Sequence, residues 1–109
     1  MSLPLVSIGM PAFNGEAYIK LALDSLLAQE YENFELIISD NCSTDTTKAI
    51  CQEYARKDKR ITLLFNDENL GPAKNFEKVI AQAKGSYYMW ASVDDVWKPN
   101  FISVLVDLL

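Results

Sequence analysis

Short apolar runs along this chain alternate with stretches whose apolar residues recur every three or four positions. Leu5–Met10 is a nearly unbroken apolar run, and Pro11-Ala12-Phe13-Asn14-Gly15 interrupts it. From Glu16 to about Gln29, residues Ile19, Ala22, Leu23, Leu26 and Leu27 fall on one helical stripe, with Asn14 placed as its N-cap. Phe34–Ser39 reads as a second buried strand, Asp40 to Asp45 as a polar loop, and Thr46–Lys57 as a helix with Ala49, Ile50 and Tyr54 on one face. Ile61–Phe65 predicts a third strand. The loop from Asn66 to Pro72 leads to a helix over about Ala73 to Lys84, striped by Phe76, Val79, Ile80 and Ala83, with Gly85 in the position of a helix-ending glycine. Tyr87–Val93 predicts a fourth strand that ends at Asp94-Asp95, and Pro99 opens a last helix.

Strands alternating with amphipathic helices imply right-handed crossovers. The expected fold is therefore α/β and Rossmann-like, a mainly parallel sheet with helices on both faces. No internal repeat, low-complexity tract or linker divides the chain, so residues 1–109 read as one unit. In the final segment, Phe101 to Leu109, apolar residues run nearly all the way round the helix, a pattern usually buried on several sides. The expectation is a domain truncated at its C-terminus, with further protein covering this helix and self-association when the helix is bare. Met1-Ser2-Leu3 reads either as an added leader or as the native start.

Composition narrows the chemistry. Half of the 109 residues are hydrophobic, enough for a core, and the net charge of −5 lacks the basic face that nucleic-acid binding requires. The absence of histidine removes imidazole acid–base catalysis and His-ligated metals, leaving oxygen ligation of the kind that suits Mg²⁺ or Mn²⁺. Cys42 and Cys51 show neither CxxC spacing nor disulfide density, so a cytoplasmic setting is expected. No apolar run is long enough to span a membrane. Phosphate-binding glycine motifs and a GxSxG elbow are also absent.

In open α/β sheets ligands bind beyond the carboxyl ends of the strands, and there the chain carries its unusual polar residues. Two carboxylates about 4 Å apart, as Asp94 and Asp95 could be, repel by roughly 1–4 kcal/mol. A divalent cation would reverse that penalty and bridge to a diphosphate. The plainer alternative is a pair of solvated turn aspartates; their place after an apolar strand, between Trp90 and Trp97, favours function. Asp40 could accept a hydrogen bond from a base N–H, or could cap the next helix, a task for which Ser43, Thr44 and Asp45 compete. Pro11 and Asn14 shape the first turn and Phe13 could wall a base or ribose, with an ordinary turn and cap equally compatible. The loop Asn69–Asn75 could bring polar groups and Lys74 toward a phosphate, although a solvated lysine at a helix start is the blander reading. Cys51 reads as a packing residue.

Four segments together resemble family 2 glycosyltransferases. Val6-Ser7-Ile8-Gly9-Met10-Pro11-Ala12-Phe13-Asn14-Gly15 resembles the family's first strand and turn. Tyr31-Glu32-Asn33-Phe34-Glu35-Leu36-Ile37-Ile38-Ser39-Asp40-Asn41-Cys42-Ser43-Thr44-Asp45 is similar to its FELIIVDDGSTD stretch. Asn69-Leu70-Gly71-Pro72-Ala73-Lys74-Asn75 is similar to its N-x-G-x-x-x-N segment, and Gly85 to Asp95 to the strand leading into its DxD motif. The resemblance implies a GT-A fold, a nucleotide-diphospho-sugar donor (usually a UDP-sugar), a divalent Mg²⁺ or Mn²⁺, and a glycan or lipid-linked acceptor in cell-envelope polysaccharide synthesis, with peripheral association of the full protein at the cytoplasmic face of the membrane. It further implies that Pro11, Ala12, Phe13 and Asn14 line the nucleotide pocket with Glu16 at its edge. By the same carry-over Asp40 meets the uracil, Asn69 and Lys74 belong to the nucleotide site, Asp94 touches the ribose and Asp95 ligates the metal. Ser92 stands where the family often has the first aspartate of DxD, and Asn41-Cys42 replace its Asp-Gly. The catalytic base is expected beyond residue 109.

Two other classes fit the same element order. A phosphorylation-controlled receiver domain would need an acidic pair after the first strand, where Pro11 and Ala12 stand, and an acceptor aspartate after the third, where Asp67 is poorly placed. A non-catalytic nucleotide-binding module would keep the fold without the chemistry.

Overall fold

The computed structural model describes residues 3–109, so Met1 and Ser2 lie outside the described residues. Eight elements alternate along the chain: β1 (Val6–Ala12), α1 (Ile19–Leu27), β2 (Phe34–Asp40), α2 (Thr47–Lys57), β3 (Ile61–Phe65), α3 (Pro72–Ile80), β4 (Tyr87–Trp90) and α4 (Phe101–Leu108). The strands form one parallel sheet in the order β3-β2-β1-β4, the α/β architecture the element order predicts. The chain winds outward from β1 to β3, then crosses back to lay β4 on the other side of β1. Strand order reverses at that point, and the carboxyl ends of β1 and β4 flank the resulting crevice.

Strand periodicity decides which side chain meets which helix. On β1 and β2, residues Val6, Ile8, Met10, Ala12, Phe34, Leu36 and Ile38 pack with Ile19, Ala22, Leu23 and Leu26 of α1, Cys51 of α2 and Ile102 of α4 in one apolar core. The opposite face is covered by α3. There a Cβ added to Gly9 would meet the Val79 side chain at 2.7 Å and the Tyr88 ring carbon at 2.8 Å, so glycine is what lets α3 and β4 close over β1. The Tyr88 hydroxyl is buried there without a hydrogen-bond partner, and burial pushes its pKa up to about 12. None of the helices among the described residues is long and apolar enough to cross a membrane.

Several boundaries differ from the expected ones, each for a tertiary reason. β1 runs two residues further, through Pro11 and Ala12. Proline is tolerated because β4 pairs with β1 only as far as Gly9, with a last bond from Ala91 N–H to Gly9 C=O. The missing Pro11 N–H falls on the side that β4 has already left. β4 itself stops at Trp90, three residues short of the expected Val93, and the chain turns through Ser92–Asp95. α1 begins at Ile19 and has no side-chain cap from Asn14, which bonds elsewhere. α3 ends at Ile80 rather than near Lys84, and its stripe is half open: Val79 is buried, while Phe76 and Ile80 are 40% and 50% exposed. Gly85 therefore does not end a helix. Its N–H donates to Ser7 Oγ at 2.7 Å, and an added Cβ would lie 2.6 Å from the Leu5 carbonyl oxygen. On α4 only Ile102 is buried, and Val104, Leu105 and Leu108 face outward.

Candidate functional site

A cavity of about 370 Å³ opens where β1 and β4 part. Pro11, Ala12 and Phe13 from the end of β1 form one side; Trp90, Ala91, Ser92 and Asp95 from the end of β4 form the other. Asn41 after β2, Asn69 before α3, and Pro72, Asn75 and Phe76 of α3 close the floor and roof. Phe76 packs edge-on against Trp90, with ring centroids 4.5 Å apart, and Trp90 packs edge-on against Tyr88 at 4.8 Å. The cavity is thus an aromatic slot with amides at one end and a carboxylate at the other.

The rim beside Phe13 is braced by a reciprocal clasp between the β1–α1 and β2–α2 loops. Asn14 adopts a left-handed backbone (φ 48°); its N–H donates to Ser43 Oγ at 2.9 Å and its Oδ1 accepts from Thr44 N–H at 2.8 Å. Gly15 N–H donates to Thr47 Oγ1 at 2.8 Å and Glu16 N–H to Asp45 Oδ2 at 3.3 Å. In return Glu16 accepts from the Thr46 N–H at 2.9 Å and from the Thr46 hydroxyl, while Asp45 accepts from Thr47 N–H at 2.9 Å. Each loop thereby satisfies backbone N–H groups of the other, ahead of the helices that follow. Burial pushes the Asp45 carboxyl up, but the bonds from Thr47 and from the Glu16 N–H outweigh it and hold the group below the usual aspartate range.

The amide end is a connected network. Asn66 Nδ2 donates to Asn41 Oδ1 and to Asn75 Oδ1, both at 2.9 Å; Asn41 Nδ2 donates to Asn69 Oδ1 at 2.9 Å; Asn75 Nδ2 donates to Ser39 C=O at 3.1 Å. At the acidic end, Asp95 N–H donates to Ser92 C=O at 3.2 Å, closing the turn, and the Ser92 hydroxyl donates to Asp94 Oδ1.

The residues expected at the site divide into two groups. Pro11, Ala12, Phe13, Asn69 and Asp95 come together on the cavity wall. Asp40, Asp94 and the turn at Asn14 share the same edge of the sheet, as strand ends in a parallel sheet must, but their side chains are engaged elsewhere. Asp40 is 2% exposed and its carboxylate accepts from the Ser43 hydroxyl (2.5 Å) and N–H (3.2 Å), so it shapes the loop rather than lining the cavity. Asn14 and Glu16 belong to the clasp, and Asp94 is held by Ser92. Lys74 is exposed on α3 and is not part of the wall. Asn41, Phe76, Trp90 and Ser92 are wall residues that the sequence did not assign to the site, and Asn75, at the end of the expected Asn69–Asn75 loop, joins them from the first turn of α3. Cys51 is fully buried, and burial pushes its thiol up to about 12, an inert packing group as expected.

Asp95 is the one ionisable group on the wall, and no lysine or arginine accompanies it. An anionic ligand would be repelled unless a cation came with it. Among the described residues no three or more His, Cys, Asp or Glu side chains cluster. The donor set fits a hard dication such as Mg²⁺ or Mn²⁺, which is usually held by one or two carboxylates and completed by phosphate oxygens and water.

Comparison with known proteins follows the same line. Residues 7–109 match the model of glycosyl transferase family 2. The Bacillus subtilis protein TuaG, named as a teichuronic acid biosynthesis glycosyltransferase, is 40% identical over 97 residues, covering 89% of this chain and 38% of TuaG. The Escherichia coli K12 protein WcaA, named as a colanic acid biosynthesis glycosyl transferase, is 39% identical over 94% of this chain and 37% of its own length. The chain thus spans less than two-fifths of these curated relatives. Residues 1–349 of Staphylococcus aureus TarS, solved also with UDP, superpose with a TM-score of 0.86 at 28% identity over 94% of this chain and 31% of that one. A mannosyltransferase from Pyrobaculum calidifontis in complex with GDP-Man and Mn²⁺ gives 0.80 at 25% identity over 88% of this chain and 29% of its own.

Proposed function

This chain belongs to glycosyl transferase family 2, and from that premise we propose that it forms the donor side of an enzyme that moves a sugar from a nucleotide-diphospho-sugar, most simply a UDP-sugar, to an acceptor hydroxyl of a growing cell-envelope glycan. The observation that carries this reading is that Asp95 shares one cavity with the Pro11–Phe13 wall, at the point where strand order reverses, with no lysine or arginine among the residues lining it. Such a cavity suits a ligand whose negative charge arrives already paired with a dication. TarS bound to UDP and to UDP-GlcNAc, and the mannosyltransferase bound to GDP-Man and Mn²⁺, support the choice of donor class.

In this reading Phe13 and Trp90 offer flat apolar surfaces to the base or sugar. Asn69 supplies hydrogen bonds at the amide end. Asp95 would hold Mg²⁺ or Mn²⁺; the cation, when bound, offsets the charge of the diphosphate. Asp40 contributes through the Ser43 loop that braces Asn14. The group that takes the acceptor proton is supplied outside these residues, in the full-length enzyme acting at the cytoplasmic side.

Calorimetric titration of UDP with and without Mn²⁺ tests the proposal. UDP is expected to bind far better with Mn²⁺, and Asp95→Ala to weaken that binding by about tenfold or more, the loss of one charge-assisted contact. Equal binding with and without metal, unchanged by Asp95→Ala, would overturn it.

A further inference from the structure

Lys78 lies on α3, away from the cavity wall, yet its ammonium is directed into the amide network beneath that wall. It donates to Phe65 C=O at 3.0 Å and to Asn66 Oδ1. Both partners are neutral; the ion pairs among the described residues are Lys57–Glu53 and Arg60–Asp58. A side-chain amide has one accepting and one donating end, so a neighbour that can only donate fixes its orientation. The ammonium fixes Asn66 with Oδ1 toward Lys78 and Nδ2 toward Asn41 and Asn75. Asn41 then accepts through Oδ1, which also takes the Leu70 N–H at 2.9 Å, and donates through Nδ2 to Asn69 Oδ1. Asn69 Oδ1 is further held by the Gly71 N–H at 2.8 Å.

Every hydrogen-bonding position of Asn41 is thereby used inside the protein: Nδ2 also reaches Gly71 C=O at 3.4 Å. Asn69 is different. Its oxygen is taken twice, whereas its Nδ2 donates to no protein atom among the described residues and the residue lines the cavity. The three donor-only anchors, Lys78 and the Leu70 and Gly71 N–H groups, all set the amides in one sense. Inverting a single link would bring two oxygens or two NH₂ groups face to face at the next.

We propose that Lys78 is a positioning residue which, through Asn66 and Asn41, holds Asn69 with its NH₂ edge toward the cavity, so that the site selects a ligand edge bearing a hydrogen-bond acceptor, such as the keto oxygen of a base, over one bearing an amino group. This rests on the reading of the cavity as a nucleotide site and deepens it. Of the three anchors, Lys78 is the one a side-chain substitution can remove.

The test compares UDP with CDP, whose bases differ on that edge by a keto oxygen and a ring N–H against an amino group and a bare ring nitrogen, in Mn²⁺-containing titrations of the whole chain. Wild type should prefer UDP. Lys78→Met should reduce that preference by about fivefold to tenfold, consistent with loosening one buried hydrogen-bonded link, and Lys78→Arg, which keeps a donor, should restore it. Asn69→Asp, which replaces donors with acceptors, should abolish or reverse the preference. Lys78→Met weakening both nucleotides equally, or leaving the ratio unchanged, would overturn the relay. If wild type binds neither nucleotide, the functional reading above fails, and side-chain amide NMR still judges the relay. The cross-peaks of Asn66, Asn41 and Asn69 should move together in Lys78→Met and stay in place in Lys78→Arg. Movement confined to Asn66 would refute it.

Discussion

Replacing Thr47 by valine removes one hydroxyl from the clasp and almost nothing else, because the two side chains are nearly isosteric. Thr47 is fully buried. Its Oγ1 accepts the Gly15 N–H at 2.8 Å and donates to Asp45 Oδ1 at 2.5 Å. Valine leaves the Gly15 N–H buried without a partner, at about 1–3 kcal/mol, and removes a bond to a charged group that is worth roughly 1.5–3 kcal/mol. The two losses overlap, since both report on the same few ångströms of loop, so the expected destabilisation is about 2–4 kcal/mol. For a domain of this size that corresponds to a fall of about 8–16 °C in Tm, measured by circular dichroism at neutral pH.

The acid limb of the same experiment separates the clasp from a generic packing defect. Asp45 is held below the ordinary aspartate value of 3.8. A carboxyl lowered in the folded state adds stability above its unfolded pKa and loses it as pH falls through the folded one. Wild type should therefore lose stability on acidification below about pH 5, and Thr47→Val should lose less over the same range because part of that contribution is already gone. Asp58, lowered by its bond to Arg60, titrates alike in both proteins and cancels in the difference. A Tm within 2–3 °C of wild type, or parallel acid profiles for the two proteins, would refute the reasoning; that window is roughly the shift of a surface substitution of half a kcal/mol.

Two further outcomes follow from the fold. Gly85→Ala should destabilise by about 1–3 kcal/mol in urea unfolding, because the new Cβ meets backbone of β1, Leu5 C=O at 2.6 Å and Ser7 N at 2.8 Å, which cannot swing aside. Residues 3–109 leave Val104 48% and Leu108 77% exposed on one side of α4, so the chain should self-associate in sedimentation experiments, and the double substitution Val104→Glu, Leu108→Glu should shift it toward monomer; a concentration-independent monomer before substitution would count against this.

All eight elements were legible because each carries its own period. The stripe Ile19, Ala22, Leu23, Leu26 of α1 is buried where it is predicted, and β3 begins and ends at the expected residues. Boundaries moved where partners distant in sequence set them. Asn14 has the residue type of an N-cap, but its oxygen is claimed by Thr44, thirty positions away, and no local signal reports such a pairing. Phe76 and Trp90 have ordinary positions in a helix stripe and a strand, and only the sheet order brings them over one crevice.

The division among the acidic residues, by contrast, was open to derivation from the chain itself. Asp40 follows Leu36 and Ile38 at a spacing of two, so if the strand persists to its end the carboxylate must share their face. That face is the core side with α1 and α2; Asp40 lies there, opposite Ala12 in the ladder and close enough to Cys51 to help raise its thiol. Pro11 is paired with Ser39 on the alternate face, the one that α3 covers and into which the cavity opens. The residue reaching the cavity from β2 is therefore the first one past the strand, Asn41, whose side chain is no longer bound by the pleat. Asp94 and Asp95 escape the rule in the same manner. They lie in a turn closed by Ser92, so which one lines the cavity is set by the turn and not by strand parity. In a parallel sheet the alternation of the last strand residues thus sorts acidic side chains into those that brace loops and those free to meet a ligand, and the sorting fails only where the backbone leaves the pleat.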